Sequence, residues 1–347
     1  MNQKPCIFDL EFSAYEELLD SWGEPSYRAS QLWHAIYVKL IDDPERIPNL
    51  PNSLRKRLAE YFTISHLIPE TTVLSHDKNT EKTLFRLPDH HAIEAVLMRY
   101  EQRRTLCIST QSGCGMGCVF CATGQMGFRR NLSSGEIVEQ VIYYARRIHS
   151  QGERVTNVVL MGMGEPFHNY EATMAAIDRL NHPERFNLGA RRFTISTVGL
   201  VPLIRRFANE RRQINLAVSL HAADDDLRSS MLPINRKYPL DILLEACHDY
   251  VNKTNRRITF EWALIRGVND TPEQARKLAA LLKGLLCHVN VIPLNPTRGY
   301  VGEATTRERA TAFQAELERL AIPCTIRIRR GIDIQAGCGQ LAIKRTQ

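Results

Sequence analysis

The sequence predicts an α/β protein, with parallel strands backed by helices as an open sheet or a barrel, preceded by a small helical module. Three observations carry this. From about residue 100 onward, short apolar runs ("TLCIST", "TNVVLMG", "RFTIST", "INLAVSLH", "RITFEWALI", "HVNVIPLNP" and "CTIRI") alternate with amphipathic helical stretches. Up to about residue 65, apolar positions instead recur every three or four residues, in "ASQLWHAIYVKL" and, after the Pro-rich break "IPNLPN", in "SLRKRLAEYF". Between them, "KTLFRL" and "AIEAVLMRY" flank the turn-rich "PDHH" and read as a hairpin over residues 80–100. The expected division is an accessory region over 1–99, comprising the helices and the hairpin, and a core over 100–347. Within the core, Ser133 and Glu136 have capping-box spacing, and Thr271 with Pro272 mark another helix start.

With 347 residues, 44% of them hydrophobic, the chain has ample apolar material for a core. Its N-terminus lacks a basic segment followed by an apolar run, and no stretch reaches the ~18 consecutive apolar residues of a membrane helix, so a cytoplasmic protein is expected. In a reducing compartment the nine cysteines read as thiols, metal ligands or transient catalytic disulfides. A formal charge of +7, with arginine pairs at 129–130, 191–192, 256–257 and 329–330, suits a polyanionic partner. Such pairs read equally as solvated surface.

One stretch demands chemistry. In "LCISTQSGCGMGCVFCATG", residues 106–124, Cys114, Cys118 and Cys121 stand in C-x3-C-x2-C spacing on a Gly-rich loop just after the strand "TLCIST". Loops at the carboxyl ends of parallel strands are where such folds bind ligands. Three thiolates can hold three irons of a cubane cluster and leave the fourth open to a substrate. A closed zinc site would need a fourth ligand, and none stands nearby at a paired spacing. Inert buried thiols are the remaining reading, though packing does not explain three cysteines so close together.

The triad, with aromatic Phe120 before its last cysteine, resembles the signature of radical S-adenosylmethionine (SAM) enzymes. "MGMGEP" at 161–166, "ISTVGLVP" at 195–202, "SLHA" at 219–222, "PINRKYP" at 233–239, "GVND" at 267–270, "LNP" at 294–296 and "GIDIQAGCGQL" at 331–341 extend the match over nearly the whole chain. Together they resemble the bacterial RNA adenine C2-methyltransferases and their C8-methylating antibiotic-resistance relatives. The resemblance implies a radical SAM partial (β/α)6 barrel with a small helical N-terminal domain. It implies a [4Fe-4S] cluster on Cys114, Cys118 and Cys121, and two SAM molecules per turnover. The implied reaction is C2 methylation of an adenosine in the peptidyl-transferase centre of 23S rRNA, with a tRNA anticodon-loop adenosine as second substrate and a flavodoxin-like electron donor. C8 methylation is the nearest rival, and Pro166 after Glu165 looks more like the C2 group. From another class comes a non-enzymatic zinc-containing RNA-binding protein.

Beside that resemblance the residues have their own chemistry. Gly162 and Gly164 follow a strand and would let backbone approach a ligand, while Glu165 offers an acceptor to the cationic amino group of SAM. Ser196, Ser219, Leu220, His221 and Asn295 stand at or just past strand ends, within reach of the cofactor. Any one of them alone reads as a structural hydrogen bond. By resemblance Cys338 carries the methyl group, and Cys107 attacks its sulfur to release the product, leaving a transient disulfide. Both thiols should therefore lie close together at the barrel mouth. Glu94 matches the family position that takes the C2 proton; its plain reading is an outward-facing hairpin charge. Cys6, Cys247, Cys287 and Cys324 read as core. The N-terminal module and the scattered arginines are expected to grip folded RNA, whose target adenine must leave its stack.

Overall fold

Residues 4–327 and 329–342 are described by the computed structural model of the chain. Helices Phe12–Ser21, Tyr27–Tyr37 and Asn52–Tyr61 come first, and their apolar stripes meet around the Trp33 ring, 4.7 Å from both Tyr15 and Tyr37. The first of these helices has no side-chain cap, which is why its start was not legible as a motif.

The chain then enters a ten-stranded sheet. β1 (Ile68–Leu74), β2 (Thr80–Arg86) and β3 (Ala92–Arg99) are antiparallel, and β3 pairs antiparallel with β4 (Arg104–Cys107), so the sheet crosses residue 100 without a break. β2 and β3 are the expected hairpin. β1 escaped the sequence reading because nearly all of its residues face solvent and leave no apolar alternation. β5 (Gln111–Gly113) and β6 (Phe128–Asn131) form a separate two-stranded ribbon that closes the cysteine-rich loop at its base.

From β4 the sheet continues in parallel through β7 (Asn157–Leu160), β8 (Phe193–Thr197), β9 (Asn215–Ser219), β10 (Ile258–Leu264), β11 (Cys287–Pro293) and β12 (Cys324–Ile326). Six crossover connections, each carrying one long helix, join these seven parallel strands. The six-unit partial barrel is thus present, with the short β12 as an additional parallel strand at its open edge. The capping box of Ser133 with Glu136 and the Thr271–Pro272 start both form at their helices.

Period-2 alternation decides what each face does. Val158, Leu160, Phe193, Ile195, Leu216, Val218, Phe260, Trp262, Val289 and Val291 are buried under the helices. Their neighbours Asn157, Thr194, Ser196, Asn215, Ser219, Thr259, Glu261 and Asn290 line internal cavities. The lumen is therefore polar. Cys6, Cys247, Cys287 and Cys324 are buried, as their core reading requires.

The helical module is tied to the barrel by Arg179, fully buried on helix Tyr170–Asn181, whose guanidinium donates to the carbonyls of Phe8 and Asp9 and pairs with Glu11. Asp9 in turn accepts from the backbone N–H of Gly135 at 2.9 Å. Arg179→Ala strands these acceptors and should lower unfolding free energy by about 2–3 kcal/mol. Urea denaturation checks the loss, and limited proteolysis should cut first in residues 4–64.

Candidate active site

The cavity of about 140 Å³ at the carboxyl ends of the strands gathers residues from six motifs. Cys118, Cys121, Gly164, Glu165, Ser196, Ser219, His221, Asn295 and Cys338 all line it. Leu220, Cys107, Cys114 and Glu94 do not.

The cysteine loop is shaped by close backbone approach. Gly113 and Gly117 have φ of +73° and +65°, and a Cβ on Gly124 would stand 2.9 Å from the carbonyl oxygen of Cys118. Cys121 begins the short helix Ala122–Gln125. Three thiols on one glycine-shaped loop suit a cluster in which each thiolate has its own iron. The donor set fits, and Cys114, Cys118 and Cys121 would hold the cluster.

Gly162 and Gly164 serve a purpose the sequence did not reveal. A Cβ on Gly162 would stand 2.6 Å from the Ile108 carbonyl oxygen, and one on Gly164, where φ is +101°, 2.5 Å from the Gln111 Cβ. The first constraint is thus packing against the strand that carries the cysteine loop; both glycines also border the cavity. Gln111 completes the contact by accepting the Glu165 N–H at 2.9 Å.

Glu165 is buried, and its two carboxylate oxygens accept the backbone N–H groups of Phe167 and Val198 at 3.0 and 2.9 Å. Burial nevertheless pushes its pKa up to about 7, with those hydrogen bonds opposing. His221 adopts a left-handed backbone at φ 62°. Burial, aided by the Arg228 cation, pushes its pKa down to about 3, so the ring is neutral. Its Nδ1 accepts the Ala263 N–H at 2.9 Å, which leaves the proton on Nε2. Phe120 packs edge-on against this ring at 4.9 Å. Asn295 donates to the Cys338 carbonyl at 3.0 Å, while its buried Oδ1 has no partner among the described residues and can accept from a ligand donor. Leu220 does not line the cavity: its side chain is wholly buried, its N–H bonds the Glu261 carbonyl, and its own carbonyl accepts from Arg228. It shapes the turn and presents nothing polar from its side chain.

Cys338 is exposed, but into the cavity. Its loop is clamped by Asn295, by the Ala122 N–H on the Gly339 carbonyl at 2.8 Å and by the Thr123 hydroxyl on the Leu341 carbonyl at 2.7 Å. The methyl-carrying candidate and the cysteine loop are thereby fastened to one another. Desolvation by the surrounding protein, and the Glu261 carboxylate, push its thiol up to about 11, against the pull of Arg327. Cys107 shares the lumen face of β4 with Thr105, which lines the chamber below. Burial and the neighbouring Cys338 push its thiol up to about 12, again opposed by Arg327. All nine cysteines are free thiols. Glu94 is the opposite of an outward charge: it is buried, pairs with Lys82 at 2.9 Å, and accepts the Ala342 N–H at 3.0 Å.

Two residues that the sequence reading passed over organise the site. Arg228, fully buried, donates to the carbonyls of Leu220, Val198 and Ser219 and to the Asn235 side chain. It joins "TVGL", "SLHA" and "PIN" into one unit. Asn269 of "GVND" donates to the carbonyls of His221 and Ala263, both at 2.7 Å, and accepts the Ile265 N–H. Asn269 had its signal in the motif "GVND", whereas Arg228 lies between "SLHA" and "PINRKYP" and outside every motif; neither had evident chemistry because the partners are mostly backbone groups supplied by other loops.

A parallel barrel with a three-cysteine loop at its mouth and the polar groups of Glu165, Ser196, Ser219, His221 and Asn295 around one cavity defines a radical SAM enzyme. The family model of the Radical SAM superfamily matches residues 108–279, and that of the ribosomal RNA large subunit methyltransferase N-terminal domain matches residues 7–64. A probable dual-specificity RNA methyltransferase RlmN from Chloroflexus aurantiacus is 51% identical, over 98% of this chain and 93% of that protein. The dual-specificity RNA methyltransferase RlmN 1 of Myxococcus xanthus is 50% identical, over 96% and 93%. The crystal structure of a radical SAM methyltransferase from Sphaerobacter thermophilus superposes with a TM-score of 0.95 at 51% identity, covering 97% of this chain and 99% of that one. The chain belongs to the RlmN family of radical SAM RNA methyltransferases, which work with a [4Fe-4S] cluster and SAM.

Two outcomes follow from this geometry. Asn269→Ala, which releases the left-handed His221 turn, should weaken SAM binding about tenfold while the iron content stays at the wild-type level; equilibrium dialysis with labelled SAM and iron analysis check both. If Glu165 meets the SAM ammonium, only its ionised form attracts it, so affinity should rise between pH 6 and about 7.5, below the usual α-amino range. Glu165→Gln should bind more weakly and lose this rise.

Proposed function

We propose that this chain methylates carbon 2 of an adenosine in 23S rRNA and of an anticodon-loop adenosine in tRNA, through a methylated Cys338. The observation that carries this is the clamping of the Cys338 loop to the cysteine-triad loop, in the cavity that Glu165, His221 and Asn295 also line. The names of the relatives, dual-specificity RNA methyltransferases, support the two RNA substrates. No described helix is long and apolar enough to cross a membrane, consistent with a cytoplasmic enzyme that meets both RNAs. A flavodoxin-like protein is the electron donor we assign to it.

Carbon 2 of adenine is electrophilic and cannot attack a sulfonium methyl as an amine does. When bound, the cluster and SAM supply a radical that takes hydrogen from the methyl on Cys338, with a second SAM as methyl source. The protein's residues do the rest. Cys338 presents its carbon to the unstacked base and becomes joined to it. Glu94 accepts the C2 proton, with Lys82 beside it favouring the carboxylate form. Cys107, as the thiolate, then attacks the Cys338 sulfur; the S–C bond breaks with its electron pair left on the carbon, which takes up a proton as the methylated base departs, and the two sulfurs remain as a transient disulfide. The unpaired electron left by radical addition would return to the cluster. Both thiols rest protonated, so attack needs deprotonation of Cys107, which the Arg327 cation favours. For gripping RNA, the helical module offers Arg28 and Arg57 over the rings of Tyr27 and Trp22, at 4.9 and 4.3 Å.

Nucleoside mass spectrometry of RNA from cells lacking the gene should show 2-methyladenosine absent. It should return with the wild type and stay absent with Cys338→Ala. If 8-methyladenosine follows the gene instead, the C2 assignment fails. Cys107→Ala should leave protein covalently joined to RNA, visible as a band shift that ribonuclease removes.

A further inference from the structure

Below the catalytic cavity lies a second, larger chamber of about 820 Å³, at the amino-terminal ends of the barrel strands. Glu261 and Met161 border both spaces and form the partition between them. Apart from Arg327, whose cation favours the Cys107 thiolate, the methyl-transfer chemistry uses no arginine of the lower chamber, yet its lining is highly specialised. Arg103, Arg256, Arg257, Arg327 and Arg330 all face it, against Glu261 as the one carboxylate among its described lining residues.

Little of this positive charge is neutralised locally. Arg256 donates to two neutral amides, Gln213 and Asn215, at 3.0 and 2.7 Å. Arg327 reaches Glu261 only loosely, at 3.8 Å. Arg103 and Arg330 both lie over the Tyr100 ring, each 4.4 Å from its centroid. Among the described residues, neither Arg103, Arg257 nor Arg330 belongs to an ion pair with a carboxylate. The field is felt by neighbours: Arg257 helps to hold His288 below the usual histidine range, after burial. Arg103 and Arg257 are exposed at the rim while Arg256, Arg327 and Arg330 are half-buried, and a concave space with such a charge excess focuses potential and concentrates anions.

We propose that the lower chamber is a binding site for a phosphate-bearing ligand. Guanidinium forks match phosphate oxygens in pairs, and the five arginines favour a multiply charged group over a single carboxylate. The Tyr100 ring is already covered by guanidinium groups, so the chamber recognises phosphate and offers no aromatic platform for a base. Asn157, Asn290 and Thr194 supply neutral donors across the floor. The volume is that of a small-molecule pocket. The same phosphate chemistry could come from a free phosphorylated compound or from the backbone of a bound RNA.

The test is isothermal titration of the full-length, cluster-loaded enzyme with inorganic pyrophosphate at low ionic strength. Saturable binding to one site is expected, weakened about tenfold or more in the Arg103→Gln/Arg257→Gln double variant. Arg330→Gln, a second and independent variant, should weaken it as well, and SAM affinity should remain at the wild-type level in both. Absence of saturable binding to the wild type, or unchanged affinity in both variants, overturns the site. An anticodon stem-loop RNA distinguishes the two sources. If pyrophosphate displaces it and the variants lose affinity for both, the phosphate is the RNA's; if only pyrophosphate binding falls, a free phosphorylated compound occupies the chamber. The readout is binding alone, so it stands apart from the methyl-transfer assignment.

Discussion

Everything chemical in this protein depends on one constraint: the parallel strands must bury apolar side chains beneath the helices and keep polar ones within the lumen. Parallel sheets are usually apolar on both faces because both are covered. Here the inner face is covered by a cavity, so Asn157, Ser196, Ser219 and Glu261 can occupy it. A one-residue slip of any strand would exchange these with Val158, Ile195, Val218 or Phe260 and destroy core and site together.

The strand ends then have to be fixed in place, and buried polar side chains do this. Arg228 holds three strand-end carbonyls at once, and Asn269 holds the turn that carries His221. Each is fully buried, so each must be fully bonded, and the satisfied network permits only one arrangement of the loops. Precision at the cavity is thus produced one layer behind it, by residues that line none of it.

Clamping of the Cys338 loop shows the same logic in the C-terminal segment. Lys82 reaches the Gln335 carbonyl at 3.2 Å as well as Glu94, and Asp333 accepts the His76 N–H at 2.8 Å. The antiparallel hairpin, which precedes the barrel in sequence, therefore supports a loop some 250 residues later. Its position beside β4 also explains why it joins the barrel sheet and does not stand apart with the helices.

Much of this was written locally. The alternation of strands and helices, the capping box at Ser133 and the three-cysteine loop are short-range patterns whose physics acts within a few residues, so the sequence alone determined the fold class and the cluster ligands it could offer. Solvent-facing β1 and the uncapped first helix lacked such patterns and were silent. What only the tertiary structure decided are relations between distant positions: the glycines of "MGMGEP" packing on the cysteine strand, Leu220 turning inward, Glu94 buried against Lys82, and five arginines converging below the site. Hydrogen bonds to backbone and the pooling of charge in a lumen depend on where strands end in space, and no local pattern of residue types encodes that.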